Sequence, residues 1–154
     1  MSGFAYEDLP PGQVLDLGEV RVDRDEMVRF AERFDPQPFH IDEEAGKNSV
    51  LGGLCASGWF TSSLWMRAFV DNVVANSTSQ GSPGGSNLSW PAPVFPDDTL
   101  RFHLRVNDRR LSRSKPGLGL VDGTGMANRV NASDGADGEE VLKFDFLSMF
   151  HTRE

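Results

Sequence analysis

Asp35 and His40 stand five residues apart in the stretch FDPQPFHID, Phe34 to Asp42, with Pro36 and Pro38 between them. A carboxylate and an imidazole together can hold a water and move its proton, and histidine is the side chain whose charge changes nearest neutral pH. The prolines matter as much as the acid and the base. Each disfavours helical geometry in the residue before it, which constrains Asp35 and Gln37 alike. The stretch reads in two ways: a polar turn, since aspartate before proline is a common turn former, or a stiff non-helical connector, residues 35–40, that aims two groups at one point. Spacing alone leaves both open.

The elements around this stretch must do the aiming. Residues 13–22, QVLDLGEVRV, partly alternate after Pro10-Pro11-Gly12 and predict a first strand. Asp23 followed by Glu26 resembles a capping box, and Met27, Phe30, Ala31 and Phe34 fall at i, i+3, i+4 and i+7. That predicts a short amphipathic helix ending at Asp35. Ile41-Asp42-Glu43-Glu44 looks like a second helix start. The segment from Leu51 to Val74 opens in small residues and continues with Trp59, Phe60, Leu64, Trp65, Ala68, Phe69 and Val73, mostly at helical spacing. Apolar residues on more than one face predict a buried helix, with these aromatics in the core.

Residues 76–87, NSTSQGSPGGSN, read as a Ser/Gly loop. Three strand-like runs follow: Leu100–Val106, Leu118–Val130 and Val141–Phe150. Pro96-Asp97-Asp98 marks a turn before the first, and residues 131–138 a polar hairpin loop between the last two. One buried helix followed by antiparallel strands predicts the α+β class, a sheet curled around a central helix. The expected organisation is a single domain over residues 1–154.

Bulk properties restrict the partners. A net charge of −8 argues against a nucleic-acid binder, which would carry a basic stripe. No run approaches the roughly 18 apolar residues of a membrane span and the N-terminus has no signal-peptide pattern, so the expectation is a cytoplasmic protein. Cys55 is the single cysteine and His40, His103 and His151 are scattered, so neither a disulfide framework nor a metal site is expected. Cys55 reads as a small core residue. Arg113 and Lys115, in LSRSKPG, are either solvated charges or contacts for coenzyme A phosphates.

FDPQPFHID followed by LGGLCASGWFTSSLWMRA resembles the MaoC-like dehydratase, or (R)-specific enoyl-CoA hydratase, family. The hydratase motif, approximately D-x-N-P-[hydrophobic]-H, reads here Asp35-Pro36-Gln37-Pro38-Phe39-His40, with Gln37 in place of the asparagine. Ala56-Ser57-Gly58 matches the family's small-residue segment ending in glycine. WPAPVFPDDTLRFHLRV, Trp90 to Val106, is similar to the family's Pro-Val…Pro-Gly-Asp-Thr-Leu stretch, with Asp97 for the glycine. The resemblance covers about residues 5–150. It implies a hotdog fold, an antiparallel sheet wrapped around a long helix, and a homodimer or dimer-based oligomer.

It also implies an activity: reversible hydration of a trans-2-enoyl-CoA thioester to the (R)-3-hydroxyacyl thioester. Asp35 and His40 would be the catalytic pair, and Gly58 with Ser57 the oxyanion and substrate contacts. No cofactor is needed beyond coenzyme A as part of the substrate. The chemistry fits these residue types. Water must be held by a base, a proton delivered to the α-carbon, and charge on the thioester oxygen met by an N–H at a helix N-terminus. A hotdog thioesterase and a non-catalytic acyl-thioester-binding protein are the alternatives.

Overall fold

The computed structural model describes residues 3–153. Five strands form one antiparallel sheet: β1 (Val14–Arg21), β2 (Gly84–Ser89), β3 (Thr99–Leu111), β4 (Leu118–Val130) and β5 (Asp137–His151), in the order β1-β3-β4-β5-β2. Among the described residues four α-helices accompany it: α1 (Arg24–Phe34), α2 (Pro38–Ile41), α3 (Glu43–Lys47) and α4 (Gly58–Asn72). Alternation along β3 puts Leu100, Phe102, Leu104 and Val106 inside, where they join Phe60, Trp65 and Phe69 of α4 in one core. The fold is α+β, with the sheet wrapped around α4 in the hotdog arrangement.

Trp65 anchors α4 to the sheet. It meets Phe69, Phe144 and Phe146 with ring centroids 4.8–5.5 Å apart, and its indole N–H donates to the His103 carbonyl at 3.0 Å. A buried tryptophan needs such an acceptor. Gly125 of β4 makes room for this contact: a Cβ there would lie 2.5 Å from the Phe144 ring and 2.8 Å from Trp65.

One half of the predicted capping box of α1 is present, the Asp23 side chain accepting from the Glu26 amide at 2.9 Å. The helix ends at Phe34, one residue before the aspartate. The long helix begins at Gly58, the expected helix N-terminus; the small residues 51–57 before it lay Cys55 and Ala56 between α2 and Val94, through Cys55 N–H to Phe39 carbonyl (3.2 Å) and Ala56 N–H to Val94 carbonyl (2.8 Å). Other boundaries differ from expectation. The Ser/Gly stretch is not all loop, because residues 84–89 form the edge strand β2 on β5. Such small polar residues carry no strand periodicity, and only the free edge of β5 recruits them. The connector after Asp35 is likewise not wholly extended: it closes into a helical turn at Pro38–Ile41, as proline at a first helical position allows.

Candidate active site

Two local constraints set the stretch from Asp35 to His40. Asp35 caps the C-terminus of α1 in a non-helical conformation, its N–H still donating to the Ala31 carbonyl at 2.8 Å. Gln37, extended before Pro38 at φ −74° and ψ 141°, is the N-cap of α2. The turn of α2 then carries His40 back over Asp35. The distance from His40 Nε2 to Asp35 Oδ2 is 3.4 Å.

The other face of the imidazole is fixed. Its Nδ1 lies 2.7 Å from the Cys55 carbonyl. A carbonyl only accepts, so Nδ1 carries the proton and the neutral ring presents the lone pair of Nε2 to Asp35. At 3.4 Å the contact is closed by a proton on Nε2; a water donating one hydrogen to each atom must part the two further. His40 is buried, with the Phe39 ring edge-on at 4.6 Å.

Asp35 is held as a carboxylate. Burial opposes its ionisation, but hydrogen bonding from Gln37 and Ser57, with a smaller contribution from His40 whenever its ring is protonated, outweighs that and keeps it below the usual carboxylate range. The Gln37 amide donates to Oδ1 at 2.6 Å. Ser57, fully buried, favours the charged form of Asp35 and accepts from the Trp59 amide at 3.3 Å at the start of α4. Cys55 is no nucleophile: burial, and then the charge of Asp35, push its thiol up to about 11.

Asp35, His40, Gly58, Trp59, Thr61 and Trp90 line a cleft of about 420 Å³. Gly58 opens α4, and the amide of a first helical residue has no intrahelical acceptor. The glycine is also a packing requirement, since a Cβ there would lie 2.4 Å from the Trp90 ring. Asp35, His40 and Gly58 therefore converge as expected. Ser57 sits behind the carboxylate and is absent from the cleft wall.

Arg113 and Lys115 do not converge. They lie in the β3–β4 turn and border a separate hollow with Arg110 and Ser112. Along β5, Leu142 adjoins the cleft-lining Val141 and Phe150 pairs beside that turn; at about 3.3 Å per residue the two ends are about 26 Å apart. Three further groups belong to the site without standing out in the chain. Gln37 sits at i+2 from the carboxylate it binds, which its place in the motif hints at. Trp59, expected in the core, is exposed on the cleft, and no local signal marks Trp90 as its neighbour there.

The MaoC like domain matches residues 8–122, most of the chain and all of this site except Val141. The chain belongs to the MaoC-like dehydratase family. Among solved structures it resembles the MaoC-like dehydratase from Rhodospirillum rubrum, 33% identical with a TM-score of 0.83 over 99% of both chains. R-hydratase PhaJ1 from Pseudomonas aeruginosa shares the fold at 17% identity, with a TM-score of 0.73 over 99% of this chain and 88% of that one. A curated relative, the uncharacterized protein YdeM of Bacillus subtilis (strain 168), is 29% identical over 107 residues, 70% of this chain and 76% of that protein. Among the described residues, no helix of this family member is long and apolar enough to cross a membrane.

Proposed function

We propose that this MaoC-like protein is a hydro-lyase that reversibly hydrates a trans-2-enoyl-CoA thioester to the (R)-3-hydroxyacyl-CoA. The observation that carries the reading is the facing pair of acceptors, Asp35 Oδ2 and His40 Nε2, at the wall of a cleft that also contains Gly58. Membership of a dehydratase family supports the reaction class.

The roles follow from the donor and acceptor pattern. Asp35 and His40 hold one water by its two hydrogens and leave an oxygen lone pair for the β-carbon. As that C–O bond forms, the pair accepts a proton and the electrons of the double bond move toward the thioester oxygen. The Gly58 N–H, at the positive end of a 15-residue helix, faces that charge. A proton then passes from the pair to the α-carbon, so one water is added and no redox group is required. Ser57 and Gln37 keep Asp35 ionised and oriented.

The unit of function is a dimer in this reading. β2 is an edge strand whose residues are all exposed, and Leu88 within it and Trp90, Trp59 and Met66 beside it leave apolar surface. Pairing through that edge covers both. Arg113 and Lys115 reach coenzyme A phosphates only if a second copy brings its β3–β4 turn to the cleft.

Incubation with crotonyl-CoA followed by chiral separation is the test. Loss of enoyl absorbance with the (R)-3-hydroxy product is expected. Free thiol would indicate a thioesterase, the (S) product would place the water on the wrong face, and an unchanged substrate would leave only binding.

A further inference from the structure

Trp59 faces two cavities. On one side it lines the cleft with Asp35, His40 and Gly58. On the other it lines a larger, mainly apolar cavity of about 590 Å³, bounded by Trp65, Met66, Phe69, Phe144 and Phe146. Trp90 completes the division. Its ring stands edge-on to Trp59, with centroids 5.0 Å apart at 79°. Its indole N–H donates to Ser62 Oγ at 3.2 Å, and Ser62 donates onward to the Gly58 carbonyl at 3.1 Å. Ser62 belongs to the wall of the apolar cavity, whereas Trp90 belongs to the cleft. The two indoles are thus latched to the first turn of α4, between the proton-handling pair and the aromatic space.

We propose that Trp59 and Trp90 are specificity-determining residues: together they form a wall that ends the cleft and restricts the substrate to short acyl chains. This rests on the hydratase reading. An alkyl tail gains free energy in proportion to the apolar area it removes from water, and the aromatic cavity offers such area only to a chain that can pass the indoles. The wall is separable from the core. Trp59 is 57% exposed and Trp90 38%, while the core aromatics Phe60, Trp65 and Phe69 are at most 3% exposed. Removing an indole therefore opens a passage without removing the packing that holds α4 to the sheet.

The experiment compares the wild type with Trp59→Ala, Trp59→Phe and Trp90→Ala on trans-2-enoyl-CoAs from crotonyl to dodecenoyl. The wild type should prefer the shortest. Trp59→Ala should raise kcat/KM for decenoyl-CoA relative to crotonyl-CoA by about tenfold or more, the scale on which pocket shape discriminates alkyl length. Trp59→Phe should restore most of the short-chain preference, and Trp90→Ala should relax it. Calorimetric titration with unreactive S-alkyl-CoA thioethers of the same lengths tests the wall independently of turnover. A gain in long-chain affinity in Trp59→Ala supports the wall even if no enoyl thioester is hydrated, an outcome that would overturn only the hydratase reading. A long-to-short ratio unchanged within about twofold in both alanine variants, by rate and by binding, overturns the wall.

Discussion

His40 Nε2 faces Asp35 Oδ2 at 3.4 Å, while His40 Nδ1 is committed to the Cys55 carbonyl at 2.7 Å. The second contact decides what the first can do. By keeping the proton on Nδ1, it leaves the neutral ring to act as a base at the atom that faces the cleft.

Asp35→Asn and His40→Gln should each lower kcat on an enoyl-CoA by about 10²-fold or more, the usual scale of lost acid–base catalysis. Because the proposed mechanism has both groups act on one water, the double variant should be little worse than either single one. His40→Gln is preferable to alanine, which would leave the buried Cys55 carbonyl without its donor at a cost of about 1–3 kcal/mol. Steady-state rates beside thermal melts separate the effects. Two active single variants would remove the pair from the mechanism.

Gln37→Leu and Ser57→Ala each delete a donor that lowers the Asp35 pKa. Asp35 should then protonate at higher pH, and the acid limb of the kcat/KM profile should move upward in both variants. The linkage sign is that of a depressed carboxylate. The stability that the Asp35 charge contributes is complete above its ordinary value near 3.8 and disappears as pH falls through the lower folded value. Both variants have less of this stability to lose. They should therefore be less stable than the wild type at neutral pH, and the gap should narrow as pH falls below the ordinary carboxylate value. Urea unfolding at neutral and acid pH, with carboxyl NMR titration, checks the sign.

Gly58→Ala should displace Trp90, because the added Cβ would sit 2.4 Å from its ring. Overpacking of this kind costs about 1–3 kcal/mol. Combining it with Trp90→Ala should recover most of the stability, since the clash is then gone. A double-mutant cycle by chemical unfolding measures the coupling; additive losses would mean that the ring is not seated over the helix start.

Light scattering should give a mass of at least twice the 17.0 kDa chain at micromolar concentration. Leu88→Lys, on the exposed edge strand β2, should shift the protein towards the single-chain mass. A wild type that stays at 17.0 kDa would rule out the dimer.

Much of the site was legible because its information is local. Pro36 and Pro38 act on the residues just before them, and Asp23 and Glu26 meet within one helical turn. The alternating residues of β3 and the apolar spacing of α4 likewise declare their buried faces. The sequence by itself thus determined the antiparallel strands after a buried helix and the end of α1 at Asp35, while the candidacy of Asp35, His40 and Gly58 came from the family resemblance that their motif carries. Tertiary structure decided the rest. Cys55 lies 15 residues from His40, and its carbonyl chooses the imidazole tautomer. Gly84–Ser89 become a strand only because β5 has an unpaired edge. Arg113 and Lys115 look like phosphate contacts in one dimension and lie at the far end of the sheet in three. Trp59 has the apolar character of a core residue, yet the buried face of α4 begins only at Phe60 and leaves Trp59 at the cleft beside Trp90. Each of these outcomes depends on which distant backbone or ring occupies the neighbouring space, and neither propensity nor spacing encodes that.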